Sequence, residues 1–438
     1  MRQSLILIFS ICISVSGFSQ ESTKSFSLQE AISFALENNR TAKNAARDIA
    51  AAEKQKWETI ATGLPQVNAE IGYQNNLKRS VAVFDNQTFP LGPRQSVNAT
   101  TTINQLLFDG SYLVGLQSAK VFLEISKNAK EKTDLEVRKS VINAYGNVLL
   151  AEESIRILDR NIEVLQKNLD ETRKIYENGL EEEESVEQLQ ITLSGVKSNL
   201  ENTTRLKHIA YQLLNIAIGL DINNAVVLKD NLETLAIENM TLSLLDANEH
   251  VENVIDYKIV ENDKVSKELL LKLEKSKALP TLRGFISGGY LGNSSSFSFA
   301  NSDQEWFGSS LFGVTLNVPV FSSGGRHAST QRAKINLEKA EDDLKETEQK
   351  LKLQISSAKS DYKFAIEDYQ NKKQNLGLAE RIEQKNQIKF FEGIASSFEL
   401  RQAQTQLYSA QQEFLQSMLD VINKKTELET VLNEIPKN

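Results

Sequence analysis

The sequence predicts a mixed, mainly α-helical protein made of two internal repeats. In each repeat, long antiparallel helical hairpins are joined to β-hairpins. Three observations support this fold class. Only six prolines occur in 438 residues, and none lies between Pro93 and Pro280 or between Pro319 and Pro436. Because proline breaks helices, both tracts can be helical over long distances. Landmarks recur at a fixed offset, which indicates a repeat, and short runs alternate between apolar and polar residues, which is typical of strands.

The repeat is visible as matching landmarks in the two halves of the chain. Ala119-Lys120 recurs as Ala333-Lys334, and the turn glycine Gly179 recurs as Gly393, both 214 residues further on. The matches keep their order over more than a hundred residues. We therefore predict a first repeat at 20–230 and a second at 231–438.

Each repeat is predicted to run helix, strand, loop, strand, very long helix, turn and long helix. Ser27 and Glu30 form a capping-box pattern at the start of a helix that we predict to reach Ala61. In the first repeat, strands are predicted at about 66–75 and 96–108, and long helices at about 111–177 and 182–218. The second repeat is predicted to contain a helix from about 244 to 277, strands at about 281–291 and 311–321, and long helices at about 326–391 and 396–432.

The N-terminus has the pattern of an export signal. A short basic start precedes an apolar run from Leu5 to Val15, and small residues precede Gln20. We predict a signal peptide at 1–19. A membrane anchor is one alternative, although the run is too short to span a bilayer. A lipoprotein is another, because the chain's single cysteine is Cys12, but Ile11 stands where a lipid-attachment box has a small residue.

Composition excludes several functions. The chain has 50 basic and 58 acidic residues, a formal charge of −8, which disfavours nucleic-acid binding. A mature chain without cysteine has no disulfide framework, zinc–thiolate site or cysteine nucleophile. The three histidines lie far apart, and no phosphate-binding glycine loop is present. We expect no cofactor, no metal site and no enzyme.

The alternating segments point to a membrane. Each predicted strand has an apolar face and a face with Asn, Thr, Gln or Glu, which is the pattern of an outer-membrane β-barrel. Four strands are too few to close such a barrel, since single-chain barrels have about eight or more. Several copies must then share one barrel in contact with outer-membrane lipid: two copies give eight strands and three give twelve. The long helices carry too many charges for hydrocarbon and must extend into water.

These features together resemble the TolC family of outer-membrane factors. The motifs that carry the resemblance are the strand endings QLLFDG (105–110) and NVPVF (317–321), the turns YENGL (176–180) and FFEGI (390–394), and LLNIAIGL (213–220). The resemblance implies a homotrimer, with a 12-stranded outer-membrane β-barrel continued by a periplasmic α-helical barrel. It also implies a passive exit duct of a tripartite efflux pump or a type I secretion system. The implied partners are a periplasmic adaptor, or membrane fusion protein, and an inner-membrane efflux or ABC transporter.

The resemblance also suggests two kinds of functional residue. The adaptor-contacting helical tips correspond to Tyr176, Gly179, Leu180, Phe390, Gly393 and Ile394. The periplasmic aperture corresponds to Glu399 and Gln402, where three symmetric carboxylates would attract cations. Plain helix-hairpin turns and a solvated helix face are the alternatives. The family's latch is not preserved, because Phe390, Ser185 and Ala395 replace its polar and charged members.

Two other classes of exported protein compete with this interpretation. A coiled-coil scaffold or adhesin without a pore accounts for the helices but leaves the four alternating segments unexplained. A periplasmic adaptor carries one helical hairpin inserted in small β-domains, whereas this sequence predicts two hairpins joined to strand pairs.

Overall fold

The computed structural model describes residues 24–246 and 250–434. The predicted signal peptide at 1–19 therefore lies outside the described residues. Helices dominate the described ranges. Their bounds are α1 Leu28–Asn38, α2 Arg40–Ala61, α3 Gly110–Glu177, α4 Glu183–Ile218, α5 Leu232–Glu238, α6 Ile255–Ser276, α7 Gly325–Phe391 and α8 Ser397–Leu432.

The strands form three separate sheets within the described residues. Their bounds are β1 Lys24–Phe26, β2 Gln66–Asn75, β3 Val81–Phe84, β4 Gln87–Pro90, β5 Gln95–Phe108, β6 Val226–Leu228, β7 Thr281–Ser294 and β8 Trp306–Asn317. The largest sheet has the order β2-β5-β7-β8, and every neighbouring pair in it is antiparallel. β1 pairs with β6 in parallel, and β3 pairs with β4 as a small hairpin.

The helix expected from Ser27 to Ala61 is two helices, because Asn39 interrupts it. Asn39 has extended backbone angles, φ −58° and ψ 136°. Its side-chain Oδ1 accepts a hydrogen bond from the backbone N–H of Thr41 (2.8 Å), and its Nδ2 donates to the carbonyl of Ala217 (2.8 Å). Asn39 thus ends α1, caps the start of α2 and holds the break against the end of α4.

Gly219 makes that contact possible. It ends α4 in the left-handed region, with φ 85°. A β-carbon built on it would lie 2.5 Å from the carbonyl oxygen of Asn38. Only glycine therefore fits, both for its backbone angle and for the close approach of the two chain segments.

In the second repeat the largest differences from prediction lie at strand and helix starts. β8 begins at Trp306, five residues before its predicted start, and ends at Asn317, because Pro319 cannot donate a strand hydrogen bond. The helix expected from about residue 244 instead begins at Ile255, and the 3₁₀ turns Leu242–Asp246 and Val251–Asn253 precede it.

The chain divides into two compact units, and each takes segments from both sequence repeats. The helical unit comprises, within the described residues, 24–43, 134–246 and 355–434. The sheet unit comprises 44–133 and 250–354, with the four-stranded sheet and the helix segments that adjoin its strands. In the described part of the chain, none of the helices combines the length and apolar character needed to cross a membrane.

The core of the helical unit includes a leucine-rich seam between α3 and α4. Seven buried residues form it: Leu158, Leu165, Leu169, Val186, Leu189, Leu193 and Val196. On α3 the inward positions recur after three and four residues in turn, as in a coiled coil. Tyr408 of α8 packs against the same seam. Burial of these side chains is what holds the antiparallel hairpin together.

A half-buried carboxylate joins the start of α1 to α3 in the helical unit. Asp230 accepts hydrogen bonds from the Leu28 backbone N–H (2.6 Å) and from the Tyr145 hydroxyl (2.8 Å). Burial raises the pKa of Tyr145, and the hydrogen bond to Asp230 raises it further. Tyr145 therefore remains a neutral donor at physiological pH, and Asp230 caps α1 from outside the helix.

Candidate functional site: an open-edged sheet and two helical tips

One face of the four-stranded sheet is apolar and uncovered. Strand register aligns its side chains in rows, one of which is Val67, Ile103, Ile286 and Phe312. Ile71 keeps 78% of its surface exposed and Phe312 keeps 71%. A soluble sheet would normally bury such a face, so this one is suited to contact with hydrocarbon.

The opposite face is polar on the two strands from the first repeat. One of its rows aligns Glu70, Thr100, Gly289 and Ser309. The strands of the second repeat are less regular, since Phe285, Leu291, Phe307 and Leu311 also lie on this face. The polar–apolar alternation is therefore clear in β2 and β5 and only partial in β7 and β8.

Both edges of this sheet are open. In the described residues β2 pairs only with β5, and β8 pairs only with β7. Each outer strand consequently presents unpaired backbone N–H and C=O groups along one side. Open edges of ten and twelve residues are unusual in a soluble protein, because they invite pairing with another chain.

Aromatic side chains cluster at the end of the sheet where the strands turn back, which we call the loop end. Tyr73 and Trp306 lie in the same register row. The Phe297 ring lies 5.8 Å from Tyr73 and 5.6 Å from Phe299, and Phe299 lies 6.3 Å from Trp306. Tyrosine and tryptophan in such a belt are typical of a membrane–water interface.

The two tips, in the helical unit, have the same backbone conformation. Gly179 and Gly393 both have φ 71°. In the first tip the Gly179 N–H donates to the Tyr176 carbonyl (2.8 Å), and the Leu180 N–H donates to the Ile175 carbonyl (3.1 Å). The second tip repeats both bonds, from Gly393 to Phe390 and from Ile394 to Lys389. Both turns are Schellman-type helix ends that require a left-handed residue, which explains the two glycines.

The tips expose apolar side chains. Leu180 is 79% exposed and Ile394 is 71% exposed, and Tyr176 is also exposed. Phe390 differs from the other expected tip residues, because it is buried and packs against Phe391 at 5.4 Å. Phe390 can therefore shape the second tip from within, while Leu180 and Ile394 are free to contact a partner.

Glu399 and Gln402 are exposed residues one helical turn apart on α8. The Glu399 carboxylate accepts hydrogen bonds from the Ser396 N–H (2.8 Å) and hydroxyl (3.2 Å), completing a capping box. These hydrogen bonds lower the pKa of Glu399. Glu399 is therefore a fixed negative charge at the start of α8, and it also stabilises that helix end.

The acidic run at the first tip is largely solvated. Glu182, Glu183 and Glu184 are exposed, whereas Glu181 accepts a hydrogen bond from the Ser185 hydroxyl at 2.7 Å. Ser185, which corresponds to a latch position in the resemblance described above, is thus buried, and its hydroxyl is already hydrogen-bonded within the first tip.

Sequence reasoning missed two amide pairs, each between a buried asparagine and a half-buried glutamine. The Asn161 Nδ2 donates to Gln411 Oε1 (2.8 Å), and the Gln387 Nε2 donates to Asn168 Oδ1 (2.8 Å). Asn161 lies between the inward-facing Leu158 and Leu165, and Asn168 follows Leu165. The four residues keep the three- and four-residue spacing of inward positions on a helix. That spacing is visible in the sequence and could have identified them.

The fold and the exposed surfaces define a protein of the outer-membrane channel class. The family model described as outer membrane efflux protein matches residues 31–220 and 271–434. The chain therefore belongs to the outer membrane efflux protein family.

Individual relatives and structures are similar over most of the chain. Outer membrane protein TolC of Vibrio cholerae is 24% identical over 308 residues, which is 68% of this chain and 66%, just under two thirds, of that relative. The structure of CusC superposes with a TM-score of 0.76 at 17% identity, covering 92% of this chain and 91% of that chain. The CmeC outer membrane channel of Campylobacter jejuni gives a TM-score of 0.74 at 16% identity, covering 93% and 85%.

Membership places the chain in a family of outer-membrane efflux proteins. The family is one of passive channels and not of enzymes. The scaffold or adhesin alternative is not favoured, because it leaves the uncovered sheet face without a role.

Proposed function

We propose that three copies of this chain form one exit duct, with a 12-stranded barrel in the outer membrane and a helical barrel in the periplasm. The observation that carries this proposal is the sheet, which has two open edges and an uncovered apolar face. Pairing of β2 in one copy with β8 in the next satisfies both edges of every copy at once. Closure around a symmetry axis then leaves no free edge.

Three copies are preferred to two on grounds of space. A barrel of about eight strands has an interior that its own side chains fill. The inward face proposed here includes bulky residues such as Phe285 and Phe307, which need more room still. Twelve strands accommodate these side chains and leave an aqueous passage, which a duct requires.

The helical tips are proposed to dock a periplasmic adaptor. Leu180 and Ile394 are exposed apolar side chains at the ends of two hairpins with matching backbone geometry. Exposed apolar groups on rigid turns are suited to a protein interface. The adaptor would connect the duct to an inner-membrane transporter, which supplies the energy and selects the cargo.

Glu399 is proposed to give the periplasmic aperture its cation preference. Three symmetric copies would place three ionised carboxylates around one opening. Gln402, one turn along the same helix, would add a polar and uncharged ring. Hydrogen bonds from Ser396 lower the pKa of Glu399 within each copy and oppose the rise in pKa that three neighbouring carboxylates cause in one another.

Native mass spectrometry of the full chain, extracted from outer membrane in detergent, tests the assembly. We expect a particle of three chains. A soluble monomer or a dimer contradicts the shared barrel. Conductance of the same preparation in a planar bilayer then distinguishes an open duct from a closed trimer.

A further inference from the structure

The connection between β2 and β5 forms a second, smaller hairpin at the loop end of the sheet. β3 and β4 are joined by Asp85 and Asn86, which both have left-handed backbone angles, φ 49° and 64°. Two consecutive left-handed residues are typical of a type I′ turn, whose twist matches that of a β-hairpin. The segment is therefore an ordered projection and not an irregular loop.

Both faces of this hairpin carry uncovered apolar side chains. Register places Val81 and Val83 on one face with Pro90, and Phe84 on the other face with Phe89. Phe84 is 78% exposed, and Val81, Val83 and Phe89 are exposed as well. Among the described residues, no other helix or strand packs extensively on β3 or β4. Such a surface indicates contact with something outside the chain.

Three cations lie at the neck of the hairpin. Lys78 and Arg79 precede β3, and Arg94 follows β4. The neck is closed by hydrogen bonds from the Asn76 N–H to the Arg94 carbonyl (2.7 Å) and from the Leu91 N–H to the Ser80 carbonyl (2.7 Å). The three side chains are exposed, and none forms an ion pair with any residue that the structure describes. The segment 76–94 thus carries two net positive charges in a chain of net charge −8.

The position of the hairpin relates these charges to a membrane. All four strands connect to helices at the opposite end of the sheet, so the hairpin projects beyond the loop end, next to the aromatic cluster of Tyr73, Phe297, Phe299 and Trp306. If the sheet spans the outer membrane with its helices in the periplasm, as proposed above, the loop end is the outer surface. The aromatic cluster then lies at the membrane–water interface, and the hairpin lies directly beyond it.

We infer that the hairpin 81–90 and its neck bind anionic lipid of the outer leaflet. Lys78, Arg79 and Arg94 bind phosphate groups of the lipid, and the hairpin beyond them is folded onto the membrane surface, so that Phe84, Phe89 and the valines contact the lipid. This inference rests on the proposed function, because it needs the sheet to span the membrane. Aromatic residues flanked by Lys and Arg are the combination that favours an anionic interface.

The charges of the neck favour lipid, and not a second copy of the chain, as the partner that binds the hairpin. Hairpins that met at a symmetry axis would bring three sets of like cations together, which is unfavourable. A neighbouring copy offers Asp303 and Glu305 in its β7–β8 connection, but these are two acids against three cations. Lipid phosphates complement all three cations and leave the apolar faces in contact with lipid.

The test is a titration of the detergent-solubilised full chain with diphosphoryl lipid A, followed by native mass spectrometry. We expect saturable binding that is stronger for diphosphoryl than for monophosphoryl lipid A. The triple variant Lys78→Gln, Arg79→Gln, Arg94→Gln should bind about a hundredfold more weakly, at about fivefold for each cation. Its matched control is Lys54→Gln, Lys272→Gln, Lys339→Gln, which removes the same charge from exposed positions on α2, α6 and α7 and should bind as wild type.

A second variant separates the apolar contribution from the ionic one. Phe84→Ser with Phe89→Ser should weaken binding of both lipid forms and keep the preference for the diphosphoryl form. Equal affinities for the charge variant and its control overturn the inference. So does a charge variant that dissociates the assembly more easily while it binds lipid A normally, because that result assigns the neck to contact between copies.

Failure of this inference can be told apart from failure of the proposed function. The same spectra count the chains in each particle. A particle of three chains without preference for lipid A phosphates overturns only the lipid inference. A monomer that does not conduct in bilayers overturns both.

Discussion

Glu399 is a residue where a structural and a functional role coincide. Its carboxylate caps the start of α8 through Ser396, and in a trimer the same group would line the aperture. Substitution by alanine removes both the charge and half of the capping box, which costs about 1 kcal/mol of helix stability. A variant that keeps the cap is therefore needed to isolate the charge.

Glu399→Gln is that variant, because glutamine at the third helical position can also complete a capping box. We expect the trimer to assemble normally and the ratio of cation to anion permeability to fall in planar bilayers. In the wild type, hydrogen bonds from Ser396 favour the ionised carboxylate and the two symmetry-related carboxylates oppose it, so cation preference should be full at neutral pH and fall as acid protonates the ring. An unchanged permeability ratio in Glu399→Gln would show that the carboxylate does not line the pore.

Substitutions at Gly393 test whether the second tip contacts the adaptor. Beyond its chain neighbours, a β-carbon there meets no atom of the described residues within 4 Å, but the φ of 71° costs about 1–2 kcal/mol for most residues. Asparagine tolerates this conformation better than other side chains. We expect Gly393→Arg to lower the yield of chemical cross-links to the adaptor, while Gly393→Asn stays close to wild type. Equal yields for Gly393→Arg and the native chain would place the docking surface elsewhere.

At the scale of elements, the amide pairs in the helical unit determine how the hairpins pack together. Asn161 and Gln411 join α3 to α8, and Asn168 and Gln387 join α3 to α7, in positions otherwise held by leucine or other apolar residues. Buried amides stabilise less than leucines but select a single register. The Nδ2 of Asn168 and the hydroxyl of Thr172 have no partner in the described residues. The packing of α3 against α7 and α8 is therefore less stable than a fully apolar contact would be.

A double-mutant cycle on Asn161 and Gln411 tests this role. Asn161→Leu leaves the half-buried Gln411 amide without its partner and should lower the free energy of unfolding by about 1 kcal/mol. The double variant Asn161→Leu, Gln411→Leu should recover most of that loss, because no polar group is then left unpaired. Thermal melts of the full chain in detergent measure both, with the exposed Asn199→Leu as control. Additive losses would show that the two amides act independently.

At the scale of the whole molecule, the proposed duct depends on closure of the sheet by neighbouring copies. The first and last strands of the sheet have free edges, whereas β5 and β7 are paired on both sides. Because the mature chain has no cysteine after the predicted cleavage, engineered cysteines can report on these edges without background.

A cysteine at Ala69 on β2, combined in turn with single cysteines along β8, should cross-link between copies at the β8 position that the barrel stagger brings opposite it, when treated with a short bifunctional reagent. We expect bands of two and three chains on denaturing gels and none beyond three. Cysteines at Thr101 and Gly288 are the matched control, because these residues face each other on β5 and β7 and should cross-link only within a chain. A ladder beyond three chains would replace the closed ring with an open array.

Much of the architecture could be predicted from local patterns. The absence of proline and the apolar spacing located α3, α4, α7 and α8, and period-two alternation located β2, β5 and β7. Turn glycines were identifiable because a left-handed residue at a helix end has a strong preference for glycine. The break at Asn39 was not predictable, since the carbonyl of Ala217 that holds it is 178 residues away.

The sequence by itself determined the repeat, the long helices and the tip turns, because these depend on neighbours within a few residues or on simple counting. Only the tertiary structure decided that Phe390 is buried, that Glu399 caps α8, that amides pair across the seam, and that 81–90 forms an apolar hairpin above three cations. Those features depend on which side chains distant segments bring together. Burial and pairing between segments that are hundreds of residues apart leave little trace in local periodicity. More of the fold than of the functional surfaces could therefore be predicted from the sequence.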